Sequence, residues 1–300
     1  LHKIVYKIHA WLESAIGGKA KVNRKLLDEF GERCKASILK QLEPEERGGF
    51  KLRMSNIGKP LRQLMLEEQY GRGSIDPEHC LKMLFGDLYE CLMLFLLKSS
   101  GVNITAQDSP VTLKIKTSKG PVSIEGTSDI DIDIDNEDKV WDIKSASPYS
   151  FDNKFDGMSI MTDHDAFGYV DQIFGYAAAK GKRAGGWIVI NKANGQIKVC
   201  EIPKHEHDTL LQRSIDRIEE KVDYITSGKP IPACTGVIDE VFYTKKTGNK
   251  ILGPNCRFCN CKEKCHPGIQ YKPSIVSKAK NPAWQWYVYI KPIKYGENNE

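Results

Sequence analysis

Residues 126–147 read GTSDIDIDIDNEDKVWDIKSAS and hold most of the side chains in this chain that could do chemistry together. On a strand, Asp129, Asp131, Asp133 and Asp135 share one face while Ile130, Ile132 and Ile134 share the other. Four like charges in a row repel, so the innermost needs a cation, a base or water to stay ionised. Asp142-Ile143-Lys144 then repeats the two-residue step and sets a carboxylate beside an ammonium. Two carboxylates from neighbouring strands, Asp129 and Asp142, suit an oxygen-preferring Mg²⁺ or Mn²⁺ held against a phosphate, with Lys144 orienting or deprotonating a water. Asp133 and Asp135, close to the turn, read as the solvated end of the strand. A calcium loop running from Asp131 to Asp142 fails on mechanism. Asn136 stands where such a loop needs glycine, Asp142 replaces the bidentate glutamate, and strands rather than helices flank it.

Nine cysteines form the second chemical set. Cys34, Cys80, Cys91, Cys200 and Cys234 are scattered, whereas Cys256, Cys259, Cys261 and Cys265 crowd into ten residues. Such clustering reads as a metal site in a reducing compartment; zinc on the four local thiolates, with His266 as a substitute ligand, is one option and an iron-sulfur cluster the other.

These residues need elements to hold them. With 300 residues, 40% of them hydrophobic, the chain can bury a sizeable core and a smaller appended lobe. The net charge of +5 is too small to establish a polyanionic partner, but acids concentrate in 125–142 and bases in 245–294. No run approaches the roughly 18 apolar residues of a membrane span, so a cytoplasmic setting and no membrane partner are expected. The start at Leu1 reads as a processed or trimmed product. Residues 3–45 show helical periodicity broken at Gly17-Gly18, a turn falls at Gly58–Pro60, and a long apolar helix is expected from an Asp76 cap and Pro77 to Leu97. Alternation predicts three strands in a meander, VTLKIKTS, VSIEGTSDIDIDI and KVWDIKSAS. DAFGYVDQIFGYAAAKGK reads as a helix, GGWIVINKANGQIKVCEI as a hairpin turning at Asn194-Gly195, and 204–226 as an amphipathic helix. The tail AWQWYVYIKPIKY reads as a closing strand. Three regions are expected: an N-terminal helical lobe over 1–50, an α-β-β-β-α-β core over 51–230, and a cysteine segment with basic aromatic tail over 231–300.

In this order the chain resembles the PD-(D/E)XK nuclease superfamily, specifically its RecB-like branch of phage and bacterial DNA-processing nucleases. The resemblance covers roughly 50–267 and rests on Glu90 in GDLYECL, Gly126-Thr-Ser-Asp129, Asp142-Ile-Lys144, and Gln172-Ile-Phe-Gly-Tyr176. It implies an α/β fold with a restriction-endonuclease-like αβββαβ core and mixed sheet. It also implies that Asp129, Asp142, the Ile143 carbonyl and Glu90 bind Mg²⁺ or Mn²⁺ while Lys144 acts on the water. Gln172 and Tyr176, one helical turn apart, would face the groove and position DNA or the lysine. Arg62 in GKPLRQL would contact phosphate. Asp87 occupies a place where relatives often carry histidine, and Asp131 rivals Asp129, although Gly126 favours the latter. Relatives with a 4Fe-4S cluster pair a triplet like Cys256, Cys259 and Cys265 with a distant upstream cysteine. The corresponding segment, GKPLR, has none, which leaves Cys34 or Cys80 as donors from elsewhere, or zinc on the local four. The activity implied is a metal-dependent DNA nuclease. The expectation is an exonuclease of phage or bacterial DNA replication, recombination or repair, working on DNA with a recombination or replication protein. The alternatives are a structure-specific endonuclease and a non-catalytic DNA-binding recombination accessory protein. Trp284, Trp286, Tyr287 and Tyr289 would stack on single-stranded bases or pack onto the fold.

Overall fold

A computed structural model describes residues 1–43, 49–71, 77–163, 165–257 and 259–292; the Asp76 cap falls outside the described residues. In chain order the elements are α1 (Lys3–Ile16), α2 (Arg24–Leu42), α3 (Met54–Ile57), α4 (Leu61–Tyr70), α5 (Pro77–Ser99), β1 (Ile104–Thr117), β2 (Gly120–Ile134) and β3 (Glu137–Ala146). After these come α6 (Pro148–Asn153), α7 (Met158–Asp163), α8 (Tyr169–Lys180), β4 (Arg183–Asn191), β5 (Ile197–Glu201) and α9 (Lys204–Thr226). The remainder is β6 (Val237–Phe242), β7 (Lys245–Leu252), α10 (Pro254–Arg257), α11 (Lys262–Cys265), β8 (Gln270–Pro273) and β9 (Trp284–Tyr289). The chain divides into two units, Leu1–Gly58 with Ser74–Lys229, and Lys59–Gly73 with Pro230–Glu300.

The first unit is an α/β structure on a five-stranded mixed sheet ordered β1-β2-β3-β4-β5. Only β3 and β4 run parallel, as a strand followed by a crossover through α6–α8 requires. The strand alternation seen in the sequence sorts the core into layers. Ile130, Ile132, Trp141 and Ile143 point to one face and pack with Met93 and Leu97 of α5 and Ile4 and Ile8 of α1. On the other, Val140 and Ile124 meet Tyr176 of α8, Ile218 of α9 and Met54 of α3. The meander, the hairpin at Gly195 (φ 74°) and the helix over 204–226 all stand where the sequence placed them.

Three boundaries differ from the sequence reading. The helices of 1–50 are not a separate lobe: Ile4, Val5 and Ile8 of α1 belong to the same apolar cluster as α5 and the sheet. Residues 59–73 group with 230–300 rather than with the core. The tail strand β9 does not close the main sheet but lies inside a second, four-stranded antiparallel sheet ordered β6-β7-β9-β8. The second unit is organised around Glu240, which is 3% exposed and accepts from Tyr287 Oη at 2.5 Å and Asn249 Nδ2 at 2.7 Å. No helix among the described residues is long and apolar enough to cross a membrane.

Candidate active site

The pairing of β2 with β3 runs from Ile134–Glu137 to Ile130–Trp141 and stops there. Beyond this point β2 continues paired to β1, while β3 continues to Ala146 paired to β4. Asp129 and Asp142 are the first residues past the last shared pair, one on each arm of the fork. At this position the regular alternation of β2 changes phase. Ile124 packs toward α8, but Ile130 and Ile132 pack toward α5. The opposing residue of β1, Asp108, has φ +45° and lies between the pairs Ser109–Ser128 and Gln107–Ile130.

Across the fork, Asp129 Oδ2 accepts from the Ile143 backbone N–H at 2.9 Å. Asp142 is 2% exposed, and its Oδ2 lies 2.6 Å from Lys144 Nζ as an ion pair. Its other oxygen, Oδ1, is buried without a hydrogen-bond donor among the described residues. Burial, with Asp129 adding to it, pushes the Asp142 carboxyl up to about 7 against the pull of Lys144. For Lys144 burial alone would lower the ammonium, but Asp142 and Asp129 outweigh it and hold the group above the ordinary lysine range. Its Nζ also stands 5.0 Å over the Tyr169 ring.

Glu90 reaches the cluster from α5. Burial first, then the charges of Asp129 and Asp87, push its carboxyl up to about 8, while Lys144 and Arg33 oppose the shift. Its side chain is 32% exposed, so solvent screens this push more than it does that on Asp142. Arg33, held by Asp108 at 2.5 Å and 3.1 Å, lies 3.9 Å from Glu90. On α8, Gln172 Nε2 donates to Tyr176 Oη at 3.2 Å, and burial raises the phenol to about 12. Gly126 has a steric reason to be glycine, since a Cβ there would lie 2.6 Å from Met54 Cβ and 3.0 Å from Tyr176 Cε1. Glu90, Asp129, Asp142, Lys144, Gln172 and Tyr176 thus meet around one fork.

Other acids of the opening stretch have different duties. Asp131, the rival to Asp129, is fully buried between Lys180 at 2.7 Å and Lys182 at 2.6 Å and acts as an internal ion pair. Asp133 is partly buried and accepts from Asn103, and Asp135 is exposed beside Lys3. Asp87 is taken up by Gln41 and Lys40 of α2. Sequence reasoning missed Arg33, for which it holds no signal. It also missed Tyr169 and Lys154. Tyr169 lies three residues before Gln172 and seven before Tyr176, a spacing that marks one helix face. Lys154 stands 4.2 Å over the same Tyr169 ring as Lys144, and burial lowers it to about 8.

The oxygen donors fit a hard divalent cation, because the buried Asp142 carboxylate has acceptor capacity that no protein donor fills. As the side chains stand, with Lys144 on Asp142, no three His, Cys, Asp or Glu groups among the described residues close around one point.

In the second unit, the cysteines gather with a member that the sequence reading left among the scattered ones. A Cβ on Gly236 would lie 1.8 Å from Cys256 Sγ and 3.8 Å from Cys234 Sγ, so these sulfurs are neighbours. Burial, reinforced by Cys234, Cys259 and Cys265, raises the Cys256 thiol to about 11. Cys261 N–H donates to Cys259 Sγ at 3.4 Å, and Cys234 Sγ lies 3.3 Å from His266 Nε2. Cys234, rather than Cys34 or Cys80, therefore lies with the downstream cysteines. Cys34 instead neighbours Cys91, and Cys80 lies against the Gln41 carbonyl. Arg62 is not presented as a phosphate contact: it donates from Nε to Cys265 Sγ at 3.2 Å and from its guanidinium to the Pro232 carbonyl. The GKPLR segment thus reaches the cysteine site without supplying a thiol. The donor types suit a thiolate-preferring metal, although as these side chains stand no three among the described residues close around one point.

Architecture and site together define an α/β protein with a mixed five-stranded sheet and an acid–lysine cluster at a strand fork. No family model matches the sequence. No curated protein matches it. Among solved structures, the chain is similar to one described as the crystal structure of SSO0001, at 13% identity and a TM-score of 0.45, over 82% of this chain and 97% of that one.

Proposed function

We propose that this chain is a metal-dependent DNA nuclease hydrolysing phosphodiester bonds. The observation that carries the reading is the meeting of Asp129, Asp142 and Lys144 where β2 and β3 part, with Asp142 Oδ2 on the Lys144 ammonium and its buried Oδ1 without a donor. Mg²⁺ or Mn²⁺, held by Asp129, Asp142, Glu90 and the Ile143 carbonyl, would supply Lewis acidity toward the phosphate and a more acidic bound water. Asp129 is already oriented by the Ile143 N–H, so its free oxygen is aimed without a search of rotamers. Lys144, held above the ordinary range, works as a charged group that orients the attacking water and offsets charge on the phosphate. Tyr176, whose phenol stays protonated, and Gln172 present hydrogen-bonding groups on the neighbouring helix that place the DNA strand or the lysine.

The preferred form of this activity is an exonuclease of phage or bacterial DNA replication, recombination or repair, acting in the cytoplasm beside a replication or recombination protein. The second unit carries a structural metal, a 4Fe-4S cluster or Zn²⁺, on Cys234 and the Cys256–Cys265 segment. Incubating linear and covalently closed DNA with Mg²⁺ or Mn²⁺, with EDTA as control, tests the proposal. Digestion of linear DNA that Lys144→Ala abolishes is expected. Cutting of closed circles shifts the assignment to an endonuclease, and binding with no metal-dependent cleavage of any DNA leaves an accessory protein.

A further inference from the structure

A row of aromatic side chains crosses the second unit, far in kind from the acid–lysine chemistry of the first. On the β8–β9 pair, Tyr271 lies opposite Trp286 and Pro273 opposite Trp284. Tyr271 is stacked on Trp286 with centroids 4.6 Å apart and planes at 25°, and is tilted against Trp284 at 5.0 Å and 40°. Lys262 Nζ caps the Trp286 end at 4.8 Å. The sequence Trp284–Tyr271–Trp286–Lys262 is therefore a short stack closed by a cation at one end, with Trp284 at the other.

Packing does not account for this row. Strand alternation sends Tyr287, 1% exposed, to the opposite face, where Glu240 fixes it. Core demand on β9 is met on that side. Trp284 and Tyr271 remain 56% and 52% exposed. Large flat side chains left in water on a braced strand pair are suited to ligands that present flat faces. Charge selects among these. From Lys245 to Lys291 the sequence has ten Lys or Arg and one acid, Glu263, a formal excess of nine, while the whole chain carries only +5. Lys246 and Lys250 are paired with Asp239, and Lys262 stands on the aromatic row itself. Flat faces with a polyanionic backbone are the chemistry of a single nucleic-acid strand, whose unpaired bases stack while its phosphates meet lysines. A duplex keeps its bases stacked on one another and offers this row only phosphates.

We infer that the Trp284–Tyr271–Trp286 row on the second unit, exposed at Trp284 and Tyr271, is a docking surface for single-stranded nucleic acid, with a base stacking on Trp284. This goes beyond the hydrolytic reading, and its test separates the two. Fluorescence anisotropy of a labelled oligo-dT strand is measured in EDTA, where no cleavage occurs, against a labelled duplex of equal length. Trp284→Ala and Tyr271→Ala are each expected to weaken oligo-dT binding by about ten- to a hundred-fold, from the usual contribution of one stacked base. Trp284→Phe retains most of the affinity, duplex binding is unchanged, and Lys144→Ala binds as wild type does. Both alanine changes are at exposed positions, and an unchanged melting profile confirms folding. Oligo-dT affinity unaffected by either change overturns the inference, as does equal loss of duplex binding or saturable binding of an acidic protein with none of oligo-dT. Cleavage intact in a wild type whose oligo-dT binding ignores Trp284 leaves the nuclease reading standing and removes this one.

Discussion

Raising the pH in the absence of divalent metal should destabilise this protein through Asp142. The group goes from the ordinary aspartate value of 3.8 to about 7 in the folded chain, because burial disfavours its charge. A carboxyl with a raised folded value contributes stability below its unfolded value, and that contribution is lost as pH climbs through the folded one. At about 1.36 kcal/mol per unit, a shift of about 3 units corresponds to about 4 kcal/mol lost between roughly pH 4 and pH 8. Glu90, pushed to about 8 by burial and then by the Asp129 charge, acts in the same direction but is 32% exposed, so solvent screening makes its share smaller. His2 and His266, which burial lowers, act oppositely, gaining stability as pH rises through the ordinary histidine value. The comparison with Asp142→Asn isolates the carboxyl. About 2 kcal/mol of this falls between about pH 5.5 and pH 8, so with each kcal/mol worth about 2–4 °C in a unit of this size, wild type should lose about 4–8 °C more than Asp142→Asn over that interval in EDTA. Added Mg²⁺ should restore the melting temperature at the upper pH, where the carboxylate is ionised, and not at the lower, where a proton competes. Differential scanning fluorimetry reads both. Identical pH profiles for wild type and Asp142→Asn, or a Mg²⁺ effect equal at the two pH values, refute the reasoning.

Asp131→Asn strands two lysines around a fully buried position and should cost about 3–5 kcal/mol in denaturant unfolding, while a folded fraction keeps its metal-dependent activity. The same substitution at a metal ligand would give the reverse. Cys234→Ser should lower the zinc or iron content of the purified chain severalfold by elemental analysis, with Cys34→Ser and Cys80→Ser leaving it unchanged; equal metal content in all three removes Cys234 from the site.

The Asp142–Lys144 step and the Gln172–Tyr176 turn were legible because strand and helix periods are local: two residues or four decide a shared face. The hairpin at Asn194-Gly195 was legible for the same reason. Asp131 was not, because parity tells which face a side chain takes but not that Lys180 at the end of α8 and Lys182 just past it stand over it. The phase change at Asp129 coincides with the positive φ of Asp108 across the ladder, a long-range partner without a local signature. Cys234 escaped since 22 positions separate it from Cys256 and only the fold around Gly236 brings them together. The second sheet was hidden by composition: KKTGNKIL in β7 carries polar residues through a strand where alternation is weak.

The fork gives its two carboxylates opposite relations to the fold. Asp129 satisfies a backbone amide that strand pairing leaves behind, so the chain keeps its sheet edge sealed by keeping this acid. Asp142 is a burden in the metal-free protein, and drift toward stability alone would remove it. If the proposed nuclease activity is what retains them, a descendant released from it would shed the two at different rates: asparagine or an apolar residue would appear first at 142, while 129 would persist as an acid.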